Sequence, residues 1–283
     1  VEFALMKTRD QTAYGALMEF LRAGNVTVLT GAGLSTESGI PDYREPDGKR
    51  RVVPMTYGDF LSSQANRQRY WARSFVGWRR FAGAVPNEGH IAVADLQRLG
   101  KLCAIITQNV DGLHQLAGAR DVVELHGNLA LVRCLDCGET THRAELDERL
   151  GEANPQFKGM LAEIRPDGDV VLSDEAVAGF HSPHCLVCDS ELVKPDVVFF
   201  GESVPKPLVE QCFSRVEASS GLLVLGSSLQ VMSGYRFVRR AAALGIPVAI
   251  VTRGPSRGDG KATIRLDAPL GATLRRVVLN LLA

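Results

Sequence analysis

The chain has 283 residues, 45% of them hydrophobic, which is enough to bury the core of one large domain or of one domain with an inserted module. Lys and Arg together number 32, and so do Asp and Glu, so there is no bulk attraction for nucleic acid or for a membrane surface. No apolar run reaches the ~20 residues of a membrane helix, and Val1-Glu2-Phe3-Ala4-Leu5 has no basic stretch before a long apolar one, so no secretory signal is expected there.

Residues 13–22 have helical spacing, and Val26-Thr27-Val28-Leu29-Thr30 reads as a strand. Residues 43–85 are rich in Arg and aromatics and carry no strand signal. A helix is expected over 88–99, then strands over 104–107 and 122–125. Residues 127–193 carry two cysteine pairs. A strand over 197–200, a helix over 207–219, a strand over 222–225, a helix over 234–244, a strand over 248–251 and a helix over 272–282 complete the chain. Most of these strands are apolar on both faces, as strands covered by helices on both sides are. Strand–helix alternation predicts an α/β fold with an open, doubly wound parallel sheet of Rossmann type. A large domain is expected from 10–44, 86–126 and 194–283. A small one is expected from a helical insertion, 45–85, and a cysteine-bearing insertion, 127–193.

The first strand runs straight into Gly31-Ala32-Gly33. Glycine there permits a sharp turn and lets a phosphate approach the following N–H groups; a purely structural turn is the rival reading. A phosphate-binding loop would need Gly-Lys-Ser/Thr, which is absent. A hydride-transferring enzyme would show GxGxxG and an acid about 20 residues on. Here position 36 is Thr and the distal stretch is Lys49-Arg50-Arg51. The turn therefore suits a dinucleotide outside the dehydrogenase pattern. The connection after it, with Ser35, Pro41, Asp42 and Arg44, is dense in groups able to meet ribose or phosphate.

The strand over 104–107 runs into Gln108-Asn109-Val110-Asp111. Ligands of doubly wound sheets sit at the carboxyl ends of strands. Two amides and a carboxylate there can hold a carboxamide and sugar hydroxyls without redox chemistry; a helix cap at Asn109 or Asp111 is the plainer reading. The next strand ends at His126-Gly127, one element later, where an imidazole can point into a cleft as a general base. His90, His114, His142, His181 and His184 are read as surface or packing residues, with His184 also a stray metal ligand beside Cys185. Cys103 lies in an apolar run and is expected to be a buried thiol.

Cys134-x-x-Cys137 and Cys185-x-x-Cys188 form the pattern of a closed four-thiolate zinc site, structural rather than catalytic. A redox pair or disulfides are the rivals. The segment between the pairs is acidic (Glu145, Asp147, Glu148, Asp167, Asp169, Asp174, Glu175), which argues against a nucleic-acid-binding ribbon.

Taken together, residues 31–44, Thr107 to His114, His126-Gly127, the cysteine pairs, Lys194 to Glu202 and Gly226-Ser227-Ser228 resemble the sirtuins, in sirtuin order, from about residue 15 to 280. Residues 67–73, 166–170 and 233–237 are similar to class II, the branch of mitochondrial sirtuin 4. The resemblance implies an NAD-dependent protein-lysine deacylase that uses NAD as co-substrate. It implies that Gly31, Ala32, Gly33, Ser35, Pro41, Asp42 and Arg44 line the NAD pocket, and that Gln108, Asn109 and Asp111 hold the nicotinamide end and its ribose. Gly226, Ser227 and Ser228 would meet the phosphate and adenosine side, with Thr252, Arg253, Gly254 and Leu270 at its edge. Thr252 stands where sirtuins usually place Asn, a departure from the family pattern at that edge. Val197, Val198, Phe199, Phe200, Gly201 and Val231 would clamp an acyl-lysine substrate as an added strand.

The implied chemistry begins with attack of the acyl oxygen on the ribose carbon as nicotinamide leaves. His126 then activates a ribose hydroxyl, and acyl-ADP-ribose and free lysine result. Mono-ADP-ribosyl transfer and a non-catalytic NAD-sensing module remain the alternatives. Tyr70 and Arg73 resemble a pair that reads carboxylated acyl groups; one exposed helix face is the plainer reading. A monomer is expected, without nucleic-acid or membrane partners. It is expected in the cytoplasm, or in the mitochondrial matrix if a targeting peptide has been removed.

Overall fold

The computed structural model describes residues 8–43, 53–160, 162 and 164–283. Six parallel strands form the main sheet: β1 (Val26–Thr30), β2 (Leu102–Thr107), β3 (Val122–Glu124), β7 (Gly221–Leu225), β8 (Val248–Val251) and β9 (Ile264–Leu266). They lie in the order β3-β2-β1-β7-β8-β9. Every residue of β1, β7 and β8 is buried, because helices cover both faces. On one face, Val26 and Val28 pack with Leu17 and Leu21 of α1 (Thr8–Ala23), Val93 and Leu96 of α4 (Glu88–Arg98), and Leu274 and Val277 of α10 (Leu270–Leu282). On the other, Leu29 and Ile106 meet Cys212 and Val216 of α8 (Lys206–Glu217) and Phe237 and Val238 of α9 (Met232–Ala243). The doubly wound α/β reading stands. β9 was not anticipated, since three residues with one fully buried carry no readable pattern.

The second sheet is antiparallel, in the order β5-β4-β6, from β4 (Gly127–Cys134), β5 (Thr140–His142) and β6 (Val193–Val197). The expected strand over 197–200 is corrected by this sheet. Only Val197 belongs to β6, which pairs with β4 rather than with the parallel strands. The chain beyond it stays tied, since Val198 N–H donates to His126 C=O at 2.8 Å and Phe200 bridges to Thr56. Around this sheet stand α2 (Tyr57–Ser62), α3 (Gln64–Ala82), α6 (Arg143–Ala153) and α7 (Asp174–Ala178). Their core includes Phe60, Tyr70, Trp71, Phe75, Leu146, Phe157, Phe180 and Phe199. The guanidinium of buried Arg143 lies over the rings of Trp71 and Trp78, 5.3 and 5.0 Å from their centroids.

Cys103 is exposed, against expectation. The β1–β2 register shifts there, pairing Val26 with Leu102 and Thr27 with Ala104, so Cys103 is the extra residue of a bulge and turns outward. Among the described residues, no helix is long and apolar enough to cross a membrane.

Candidate active site

Strand order reverses at β1, with β2 on one side and β7 on the other, so the carboxyl ends of these strands open into one crevice. The crevice holds a cavity of about 1090 Å³. It brings together Gly31, Ala32, Gly33, Ser35, Pro41 and Asp42 with Gln108, Asn109, Asp111 and His126. Residues 197–201, Gly226, Ser227, Ser228, Val231, Thr252, Arg253, Leu270 and Tyr70 line it as well. Gly254 and Arg73 are not on its wall, and Arg44 lies outside the described residues.

Among the described residues, no long helix begins directly at the end of β1. The Gly31-Ala32-Gly33 turn leads into two single 3₁₀ turns, Ala32–Leu34 and Thr36–Ser38. The glycines serve backbone approach: Gly33 N–H donates to Gly226 C=O at 2.8 Å, and a Cβ on Gly33 would stand 2.9 Å from that oxygen. Two glycine-bearing strand ends thus meet edge to edge and leave a smooth cradle.

Beside the cradle, Asn109 Nδ2 donates to Gly31 C=O at 3.1 Å and to Ser35 Oγ at 3.0 Å, while Ser35 Oγ donates to Asp111 Oδ2 at 2.7 Å. Asp111 also serves the plainer role, since its Oδ1 accepts from Leu113 N–H at 2.9 Å. Gln108 Nε2 donates to Ser227 Oγ at 3.0 Å and ties β2 to β7. His90 is buried beneath this group. The Asn87 N–H donates to its Nδ1 at 3.3 Å, so the neutral ring's proton sits on Nε2, 3.4 Å from Ser35 Oγ. His114 Nε2 lies 2.9 Å from Thr30 Oγ1, which itself donates to Thr107, so His114 is the donor there.

Burial drives His90 to about 4, against an opposing pull from the Asp111 charge. Burial and the neighbouring His90 drive His114 down to about 3. Both rings are therefore neutral in the fold, and below about 6.5 the unfolded chain binds more protons than the folded one. Stability is complete above about pH 6.5 and falls toward pH 4, by roughly 2–3 kcal/mol per pH unit when both rings contribute. Urea unfolding at a series of pH values tests this. His114→Gln should flatten the slope by about half, and a pH-independent stability over that range would contradict the assignment.

His126 closes the polar side. Its Nδ1 is 2.9 Å from Gln108 C=O, an acceptor only, so Nδ1 holds the proton and Nε2 carries the lone pair. Burial lowers its pKa; the Gln108 hydrogen bond opposes this, and the Arg236 charge adds to it. The next residue sets its direction. Gly127 has φ +81°, and a Cβ there would stand 2.0 Å from Asp196 C=O. Gly127→Ala should cost roughly 3 kcal/mol, from left-handed backbone and overpacking together, measurable as a lower denaturant midpoint. A change below about 1 kcal/mol would show that the loop relaxes freely.

The wall over 197–201 is braced from beneath. Lys194 Nζ donates to Glu202 Oε2 at 3.0 Å and to Val197 C=O, and Glu202 accepts from Phe199 N–H at 2.8 Å. At the inner end stands Tyr70, only 5% exposed and edge-on to Phe60, with Phe199 5.2 Å away. This corrects the exposed-face reading of Tyr70 and Arg73: Tyr70 is core, and Arg73 is half-buried with its Nε shut away from solvent. Asp167 and Asp169 also line this end. Burial raises both, Asp169 to about 7, with Arg73 pulling each of them down.

The sequence pattern described as the Sir2 family matches residues 31–233. This chain belongs to the Sir2 family. It is 55% identical over 267 residues to NAD-dependent protein deacetylase 1 of Streptomyces coelicolor, covering 94% of this chain and 89% of that protein. It is 48% identical over 251 residues to the human NAD-dependent protein lipoamidase sirtuin-4, mitochondrial, covering 87% and 80%. Among solved structures it resembles one described as Sir2-p53 peptide-NAD+, with a TM-score of 0.75 at 29% identity, covering 97% of this chain and 98% of that one.

The cysteine pairs come together as a cluster away from the cavity wall. The ligand atoms of Cys134, Cys137, Cys185 and Cys188 lie within 4.8 Å of one another. Cys134 and Cys188 sulfurs are 3.6 Å apart, as are Cys137 and Cys185. A tetrahedral zinc with bonds of about 2.3 Å spaces its sulfurs by about 3.8 Å, so the donor set fits zinc. Each half is the same knuckle: Cys134 N–H donates to Glu139 C=O and Gly138 N–H to Cys134 C=O, just as Cys185 pairs with Ser190 and Asp189. Among the described residues His184 is not part of this group; its ring faces Asp189.

Sequence reasoning missed Ser233, whose Oγ lies 2.9 Å from His126 Nε2, and Arg236 on the same wall. Ser-Gly-Tyr-Arg-Phe (233–237) was visible as a class marker, but nothing local tied it to His126. Asp167 and Asp169 were read only as part of an acidic segment unsuited to nucleic acid, and only burial distinguishes them.

Proposed function

We propose that this chain is a protein-lysine deacylase that takes NAD as its co-substrate, releases nicotinamide and forms O-acyl-ADP-ribose. The observation carrying this reading is His126 itself: a neutral imidazole with Nδ1 capped by a carbonyl and Nε2 turned to a cavity that the Asn109–Ser35–Asp111 group also lines. Gly31, Ala32, Gly33, Gly226, Ser227 and Ser228 cradle the pyrophosphate and adenosine side, with Thr252, Arg253 and Leu270 at the edge. Asn109 and Asp111 hold the nicotinamide end and its ribose, and Gln108 braces them. Bound NAD supplies the electrophilic ribose carbon. His126 takes the proton of a ribose hydroxyl in the step after nicotinamide departure.

The wall over 197–201, with Val231, receives the substrate backbone as an added strand. Tyr70 lies at the acyl end, where Arg73 acts by charge on Asp167 and Asp169 rather than by contact. The peptide complexes named among the solved relatives support this placement; one is described as bound to a myristoylated histone peptide. The parallel-sheet part serves as the large domain (10–44, 86–126, 194–283). The parts over 45–85 and 127–193 serve as a small domain stapled by one structural zinc. A monomer in the cytoplasm fits the reading, with two unbridged thiol pairs kept for metal.

The test is nicotinamide release by purified protein across acyl peptides of graded chain length, with and without NAD. Release should require both. If no acyl peptide stimulates release, the reading fails; label from NAD appearing on protein instead of acyl-ADP-ribose turns it to ADP-ribosyl transfer.

A further inference from the structure

The base is held at both ring nitrogens, and the second holder comes from a distant part of the chain. Ser233, in the first turn of α9, places Oγ 2.9 Å from His126 Nε2. Because the Gln108 carbonyl already fixes the proton on Nδ1, the Ser233 hydroxyl is the donor in the neutral state. The neighbouring backbone is built to bring it there. Gly234 packs directly on the Gln108 side chain, and a Cβ at 234 would stand 2.4 Å from Gln108 Oε1. So the first turn of α9 is pressed against the residue whose carbonyl anchors the opposite edge of the imidazole.

We propose that Ser233 is a positioning residue for His126, the hydrogen-bond partner that keeps the ring in one orientation in both of its protonation states. A hydroxyl both donates and accepts. It donates to the Nε2 lone pair while the ring is neutral. In the base step a ribose hydroxyl takes the place of the Ser233 O–H at that lone pair; its O–H bond breaks, an N–H bond forms at Nε2, and the oxygen keeps its electron pair for attack. The new N–H then finds Ser233 Oγ as an acceptor at the same site. The Nδ1 partner, a carbonyl, accepts in both states. The ring therefore gains its proton without turning, and a positive charge at Arg236 on the same wall favours its return. A side chain of the same shape without a hydroxyl would leave one edge of the ring unheld.

This inference rests on the deacylase reading, and the isosteric pair Ser233→Thr and Ser233→Val tests it. Three quantities are read for each: kcat for acyl-ADP-ribose formation, KM for NAD, and exchange of labelled nicotinamide into NAD, which precedes the base step. Ser233→Val should lower kcat about tenfold, the worth of one hydrogen bond of about 1.4 kcal/mol. KM and nicotinamide exchange should stay within about twofold, and Ser233→Thr should restore kcat to within about twofold of the parent. Equal kcat in the Thr and Val variants overturns the proposal, and so does loss of nicotinamide exchange in step with kcat. If Ser233→Val melts early, Ser233→Ala takes its place under the same criteria. A parent protein inactive on every acyl peptide overturns the deacylase reading and this proposal with it, whereas an active parent with equal variants overturns the proposal alone.

Discussion

His126→Ala is expected to lower acyl-ADP-ribose formation by roughly 10²–10⁴-fold, the range for loss of a positioned general base. The loss should be confined to the base step. Nothing in the His126 side chain binds the cradle made by Gly33 and Gly226, and the Asn109–Ser35–Asp111 hydrogen bonds do not pass through it. Exchange of labelled nicotinamide into NAD should therefore persist while product formation fails. A variant with both reactions lost would move His126 from base to binding element. One with both intact would remove it from the mechanism. The pH profile adds a second check. Burial and Arg236 lower the His126 pKa, so the neutral, active ring persists below the ordinary histidine range. The acid limb of kcat should accordingly lie below about 6.5, and Arg236→Gln should move it upward, toward that value.

Losing the metal is the second large effect, and it acts through the fold. Cys134 and Cys185 are buried among the residues that also pack Phe60, Tyr70 and Phe199. Structural zinc in small peptides binds with an apparent free energy of about 10–16 kcal/mol, comparable to the whole stability of a domain at about 5–15 kcal/mol. Cys185→Ser should reduce bound zinc from about one equivalent to well below it. It should lower the melting temperature by ten degrees or more, on the order of several kcal/mol. Activity should fall with the fold, because Tyr70 and Phe199 wall the cavity. Metal analysis, thermal melts and turnover on the same preparation decide it. Full turnover and an unchanged melt in a metal-free protein would show that the thiolates are dispensable.

The sequence by itself determined what depends on short range. Val26-Thr27-Val28-Leu29-Thr30 is apolar and β-branched throughout, and it is a strand buried on both faces. The cysteine pairs are local knuckles, each closed by its own backbone hydrogen bonds, so their spacing announced them. Gly31-Ala32-Gly33 was legible as a turn and His126-Gly127 as a strand end.

Only the tertiary structure decided the rest. It showed that the glycines of the first turn meet Gly226 rather than a helix end. It turned Cys103 outward, because a register shift between two strands has no signature in either strand alone. It drew Val197 into an antiparallel pair with Gly127, where an apolar run had no means of naming its partner. It buried Tyr70 and Asp169 at the inner end of the cavity, although both lie in stretches rich in charge. And it set Ser233 against His126, two residues separated by 107 positions. Local chemistry is written in neighbouring side chains; a partner across the fold is chosen by packing, and packing is a property of the whole chain.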